Sequence, residues 1–210
     1  MKIHPTAIVD PNAKIHNSCE IGPFCIVGPD VKMGSGNKLL SHVIIENTVD
    51  IESDNVFYPF SVIGGTPQDL KYKGEKTNLS IGSRNTVRES VTLNIGTDGG
   101  GKITRIGNDN LLMAYSHVGH DTQIGDHCVI ANGCQIAGHV IVEDWAIIGG
   151  LTGIAQYQRI GAHSYIGGGS GVDRDVPPFT FGRGPTGGYE IMGLNLVGMK
   201  RRSFSDETIS

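Results

Sequence analysis

Aromatic residues make up only 6% of this 210-residue chain, and charged residues only 18%. A core of large rings is therefore not its main source of stability. Disorder is excluded too, because hydrophobic residues still reach 38%. Lys and Arg number 17 against 21 Asp and Glu, a formal charge of −4. A general nucleic-acid or anionic-membrane binder would carry the opposite excess. No apolar run approaches the ~18 residues of a membrane span. Met1-Lys2-Ile3-His4-Pro5 lacks the apolar core of a signal peptide, so the cytoplasm is the expected compartment. The four cysteines form no CxxC, and no GxSxG is present to mark a covalent serine.

Glycine is what the chain has in excess, at 31 residues. It accompanies a strict repeat. Aliphatic side chains recur every sixth position at Ile3, Val9, Ile15, Ile21, Val27, Met33, Leu39, Ile45 and Ile51, and again at Ile81, Val87 and Leu93. The same step runs in a new phase from Ile106 to Val172, and Gly often follows directly, as at Gly22, Gly28, Gly125 and Gly149. Each hexad reads as a short strand plus a turn, with the aliphatic inward, a small residue four places later sharing the interior, and Gly or Asn turning the corner. Three hexads close a triangular coil of ~18 residues, and coils stack at the ~4.8 Å strand spacing. The expected fold is all-β, a parallel β-helix of hexapeptide repeats over residues 1–178. Its open ends call for capping or oligomerisation.

Two segments break the repeat. Residues 65–80 carry Gln68, Asp69, Lys71 and Tyr72 and return in phase at Ile81; residues 96–102 (GTDGGGK) shift the phase. Loops thrown out from a rigid solenoid are the usual carriers of function. The repeat is expected to end near Val176-Pro177-Pro178, because proline cannot donate to a ladder. Residues 179–210 then read as a connector and the start of a helix at Ser203-Phe204-Ser205-Asp206-Glu207.

Cys19, Cys25, Cys128 and Cys134 each lie four places after a repeat aliphatic and read as buried thiols. Among eight histidines, His117, His120, His127 and His139 lie close together. Two chemistries fit them. His120 suits a general base, while histidines of neighbouring chains suit a zinc site of the carbonic-anhydrase type. Coil arithmetic places His120, Gly138 and Gln156 on one ridge, with His139 on Asp121. A base beside an unshielded Gly N–H suits acyl transfer.

The stretches HPTAIV at 4–9, IGPFCIVGP at 21–29, QDLKY at 68–72, RESVT at 88–92, HVGHD at 117–121, AGHV at 137–140, DVPP at 175–178 and KRR at 200–202 closely resemble the UDP-N-acetylglucosamine O-acyltransferases that begin lipid A synthesis. The resemblance implies a left-handed helix, a homotrimer and no metal or organic cofactor. It implies transfer of an R-3-hydroxyacyl group from acyl carrier protein to the glucosamine 3-hydroxyl of UDP-N-acetylglucosamine. His120 would be the base with Asp121 beside it, and the Gly138 N–H the oxyanion donor. Asp69 and Lys71 would contact substrate, His117, His139 and Gln156 would line the site, and Asn195, Arg201 and Arg202 would lie near the nucleotide phosphates. Gly168 matches the position that limits acyl-chain length. Ala155 stands where the family often has His, which leaves a 3-amino sugar as an alternative acceptor. Only the start of the family's C-terminal helical domain is present in the sequence.

Overall fold

A computed structural model describes residues 2–205 and 207. Strands of two to five residues, joined by tight turns, wind in succession around three faces of 11, nine and eight strands. Pairing is parallel with each residue one coil from its partner, Lys2 on Glu20 and Val129 on Ile147. The fold is the expected left-handed parallel β-helix. Both insertions leave the third-face column in register, with Ile51, Ile81, Ile106 and Ile124 stacked across them, while the second face takes up a bulge between Ile63 and Gly65 where the first insertion departs. The phase shift at Ile106 is thus a shift in sequence only.

The repeat aliphatics line the interior and are almost wholly buried from Ile21 to Val172. Each contributes about 1.5–3 kcal/mol by leaving water. Phe57 fills the slot between Ile51 and Ile63, fully buried, where an aliphatic-only pattern skips it. The four cysteines are buried free thiols, as expected. Burial pushes Cys128 up to about 12, so it behaves as a small apolar side chain rather than a reactive one. One interior column is polar. Asn37, Asn55, Asn85 and Asn110 stack rung on rung, each Oδ1 accepting the backbone N–H of the next coil. Their amide groups donate to turn carbonyls that would otherwise be stranded.

The corners differ from expectation. The left-handed positions belong mostly to larger residues, among them Phe24, His42, Phe60, Tyr115, Asp121, His127, His139, Trp145, Tyr157, His163 and Phe179. The glycines that follow the repeat aliphatics serve another purpose. A Cβ on Gly22 would fall 1.4 Å from the carbonyl oxygen of Leu40, and one on Gly107 would strike Gly125 O and Asp126. Close approach of the next coil, not turn conformation, demands glycine at these two positions, whereas at Gly28 a Cβ would find ordinary room.

The ladder also runs past Val176-Pro177-Pro178. Val176 bridges to Ile160, and Thr180–Arg183 adds one more parallel strand against Tyr165–Ile166. The prolines sit in the turn, where no ladder donor is lost. Glu190–Leu194 then pairs antiparallel with Thr180–Arg183. This hairpin caps the solenoid: the inward position of its last coil is Gly182, and the buried Tyr189 ring occupies the space a side chain there would take. Tyr189→Ala should cost about 3 kcal/mol or more by opening a cavity at the end of the core. Chemical denaturation would read that as a lower midpoint at unchanged slope. A short helix at Leu196–Arg201 precedes the expected start at 203–207, and Glu207 is again helical. Asn195, by accepting from Gly198 N–H, supplies its cap. Of that later segment, Asp206 lies outside the described residues. Among the described residues no helix is long and apolar enough to cross a membrane.

Candidate active site

The corner between the second and third faces carries His120, Asp121, Gly138, His139, Gln156 and Tyr157 on successive coils. Both insertions fold over it, enclosing a cavity of about 280 Å³ lined by Asp69, Lys71, His120, His139 and Gln156 together with Tyr72, Glu75, Thr97 and Asp98. His120 is buried at its floor, with Asp121 buried behind it. Asp121 Oδ2 lies 2.8 Å from His120 Nδ1. A carboxylate only accepts, so Nδ1 carries the proton and Nε2 keeps its lone pair. That free nitrogen faces Gly138: a Cβ there would lie 2.7 Å from Nε2 and 2.6 Å from Cε1. Among the described residues, none accepts from the Gly138 N–H. The free imidazole nitrogen of His120 and Gly138, with its unpaired N–H, therefore lie side by side in one small space.

His139 stands on edge to His120, with ring centroids 4.9 Å apart, and stacks flat on Tyr157 at 4.5 Å. Its Nε2 is 3.9 Å from Asp121 Oδ2. His120, Asp121 and His139 are the one trio among the described residues whose ligand atoms lie within 4.8 Å of one another. Asp121 already accepts from Thr97 N–H, Thr97 hydroxyl and His120, so three of its about four lone-pair sites are used. The trio is built as a hydrogen-bonded dyad with a stacked neighbour.

Residues 103–138 match the bacterial transferase hexapeptide model, and residues 175–210 match domain 2 of UDP N-acetylglucosamine O-acyltransferase. An acyl-[acyl-carrier-protein]–UDP-N-acetylglucosamine O-acyltransferase of Thermodesulfovibrio yellowstonii is 51% identical over 209 residues, 100% of this chain and 80% of its own length. The enzyme of that name from Herminiimonas arsenicoxydans is 47% identical, over 99% of this chain and 78% of its own. The solved UDP-N-acetylglucosamine O-acyltransferase of Moraxella catarrhalis superposes with a TM-score of 0.95 at 45% identity, covering 100% of this chain and 80% of that one. The chain belongs to the UDP-N-acetylglucosamine O-acyltransferase family.

Not every residue matched to that family's site enters the cavity of a single chain. His117 lies on the second face, its Nδ1 2.7 Å from the Thr92 hydroxyl, beside a shallow groove that also holds Gln135, Ala155 and Asp173. Gly168 is exposed at the corner between the first and second faces, in an open groove walled on one side by the terminal hairpin. Asn195, Arg201 and Arg202 stand at the corner between the third and first faces. There Arg202 donates to Trp145 O at 2.8 Å and lies over the Trp145 ring, while Asn195 donates to His163 O. Conversely, the hexad pattern missed Thr97, Gly100 and Thr104, which surround Asp121. They lie in or beside the second insertion, where residues obey no coil arithmetic. The run Gly99-Gly100-Gly101 was the only signal available.

Burial pushes His117, His139 and His163 below the usual imidazole range. For His139 the Asp121 carboxylate offsets part of that effect. Unfolded imidazoles titrate near ~6.5, so the unfolded chain takes up protons first as pH falls through that value. Folding stability should therefore decline on acidification until the folded imidazoles also charge. Melting curves from about pH 7.5 to about pH 5 should show a falling Tm; a flat or rising Tm would contradict this.

Proposed function

We propose that this chain transfers an R-3-hydroxyacyl group from acyl carrier protein to the 3-hydroxyl of the glucosamine ring in UDP-N-acetylglucosamine, an early step of lipid A synthesis. Family membership supports the reaction class. The observation that carries the mechanism is the free His120 Nε2 lying against Gly138, whose N–H is unpaired. Nε2 takes the proton of the sugar hydroxyl as its oxygen attacks the acyl carbonyl carbon. The carbonyl oxygen gains the negative charge and accepts from the Gly138 N–H. Asp121 steadies the imidazolium through Nδ1–H. When the tetrahedral intermediate collapses, the carrier departs and the Nε2 proton goes to its leaving atom. No covalent intermediate on the protein is required. Lys71 and Gln156, exposed at the cavity rim, are placed to bind polar groups of the sugar.

The same reading assigns Asn195, Arg201 and Arg202 to the nucleotide phosphates, with guanidinium groups suited to paired phosphate oxygens. On one chain those groups lie across the third face from His120. A homotrimer, which brings one chain's corner against its neighbour's, unites them. The outward row of the first face supports such packing. It turns from Lys2, Glu20 and Lys38 to Leu111, Val129, Ile147, Tyr165 and Phe181. Gly168 leaves its groove open to a long acyl chain. A soluble carrier and a nucleotide sugar place the reaction in the cytoplasm, with no cofactor.

Mass spectrometry of UDP-sugar products tests the whole reading, using acyl carrier protein donors of several chain lengths. UDP-N-acetylglucosamine should gain one 3-hydroxyacyl group in the presence of chelator. No product with any donor would overturn the proposal. Product only with the 3-amino sugar would replace the acceptor, and chelator-sensitive turnover would restore a metal-dependent reading.

A further inference from the structure

The second insertion has a role the hexad pattern does not supply. We infer that Thr97 is a positioning residue for the base, clamping the Asp121 carboxylate in the orientation that holds His120 Nδ1; this rests on the acyltransfer reading above. Thr97 binds both carboxylate oxygens. Its N–H donates to Oδ1 at 2.9 Å and its hydroxyl to Oδ2 at 2.6 Å. Oδ2 is also the oxygen that meets His120 Nδ1 at 2.8 Å. The Asp121 side chain is fully buried, so solvent cannot take over either contact.

Thr97 occupies the N-cap position of the short 3-10 turn Asp98–Gly100. A threonine there ordinarily turns its hydroxyl onto its own helix. This one makes no such cap and reaches across to Asp121 instead. Gly100 closes the other side. A Cβ on it would stand 2.0–2.4 Å from the three carboxyl atoms of Asp121, so the loop backbone itself walls in the acid. The loop is in turn held in place. Gly96 N–H donates to Asn78 O and Lys102 N–H to Thr97 O, while Lys102 pairs with Asp98 at 2.8 Å. The insertion thus delivers two donors to a buried acid that the coil alone would leave with one partner. A carboxylate free to rotate holds the imidazole less well. With the hydroxyl gone, Oδ2 also draws harder on the Nδ1 proton and stabilises the imidazolium.

Thr97→Val removes the hydroxyl and keeps the N–H and the branched shape; Thr97→Ser keeps the hydroxyl. The Val variant should lose about 10-fold in kcat, part of the worth of a general base. Its KM should be little changed, and the acid limb of its pH–rate profile should move to higher pH. The Ser variant should behave as wild type. Proton NMR of the hydrogen-bonded His120 Nδ1 proton gives a readout that needs no turnover. Its resonance should shift or broaden in Thr97→Val and persist in Thr97→Ser. Gly100→Ala, at a position with no left-handed backbone requirement, should displace the carboxylate and change the same resonance. Wild-type kcat, profile and resonance in Thr97→Val would overturn the inference. Equal impairment of the Val and Ser variants would overturn it as well. An inactive wild-type protein whose resonance still responds to Thr97→Val would instead sink the acyltransfer reading alone.

Discussion

His120→Ala is expected to lower kcat by about 10²–10⁴-fold, the range for losing a positioned general base. The protein should stay folded. His120 sits on a corner rather than in the aliphatic column, and the strands on either side, His117–Val118 and Gln123–Ile124, are held by their own ladders. KM for the nucleotide sugar should change far less than kcat, because the proposed role of the imidazole is on the reacting hydroxyl. Steady-state kinetics alongside a melting curve checks this. Turnover near wild type would remove His120 from the mechanism, and Asp121 with it, since the proposal has Asp121 act only through the imidazole.

Gly138→Ala should cost about 10²–10³-fold in kcat, comparable with deletion of an oxyanion donor. The backbone at 138 is not left-handed, so alanine is tolerated conformationally. The penalty is local. The new methyl would lie 2.6 Å from His120 Cε1 and 2.7 Å from Nε2, well inside any real contact. The ring must swing off Asp121, or the methyl must occupy the place of the reacting carbonyl oxygen. A fall in kcat at an unchanged melting temperature is the expected signature. A substitution that left turnover intact would show that the space beside the imidazole at this corner does not matter.

These two positions also mark how far sequence alone reaches. A residue in a regular solenoid has a neighbour one coil away, so counting alone puts His120, Gly138 and Gln156 on one ridge. The same counting located the aliphatic columns and the four buried cysteines, because a fixed period is all that inward packing requires. Reading the glycines as corner formers failed for a physical reason. Corner strain is borne by Phe24, His42, Trp145 and their like, while glycine answers to the approach of the next coil, which no single hexad reveals.

What the sequence by itself determined is therefore the repeat: which side chains face inward, how many residues make a coil, and that His120 and Gly138 fall one coil apart on the same corner. The tertiary structure decided everything that leaves the repeat. Thr97 and Gly100 surround Asp121 because an insertion folds back over a corner, and Tyr189 plugs the core because a hairpin reverses onto Gly182. Asn195, Arg201 and Arg202 fall on a different corner from His120 because the solenoid has three faces. Periodicity fixes neighbours along the stack. It carries no information on where a non-repeating segment lands, since that depends on contacts with no set spacing in the chain.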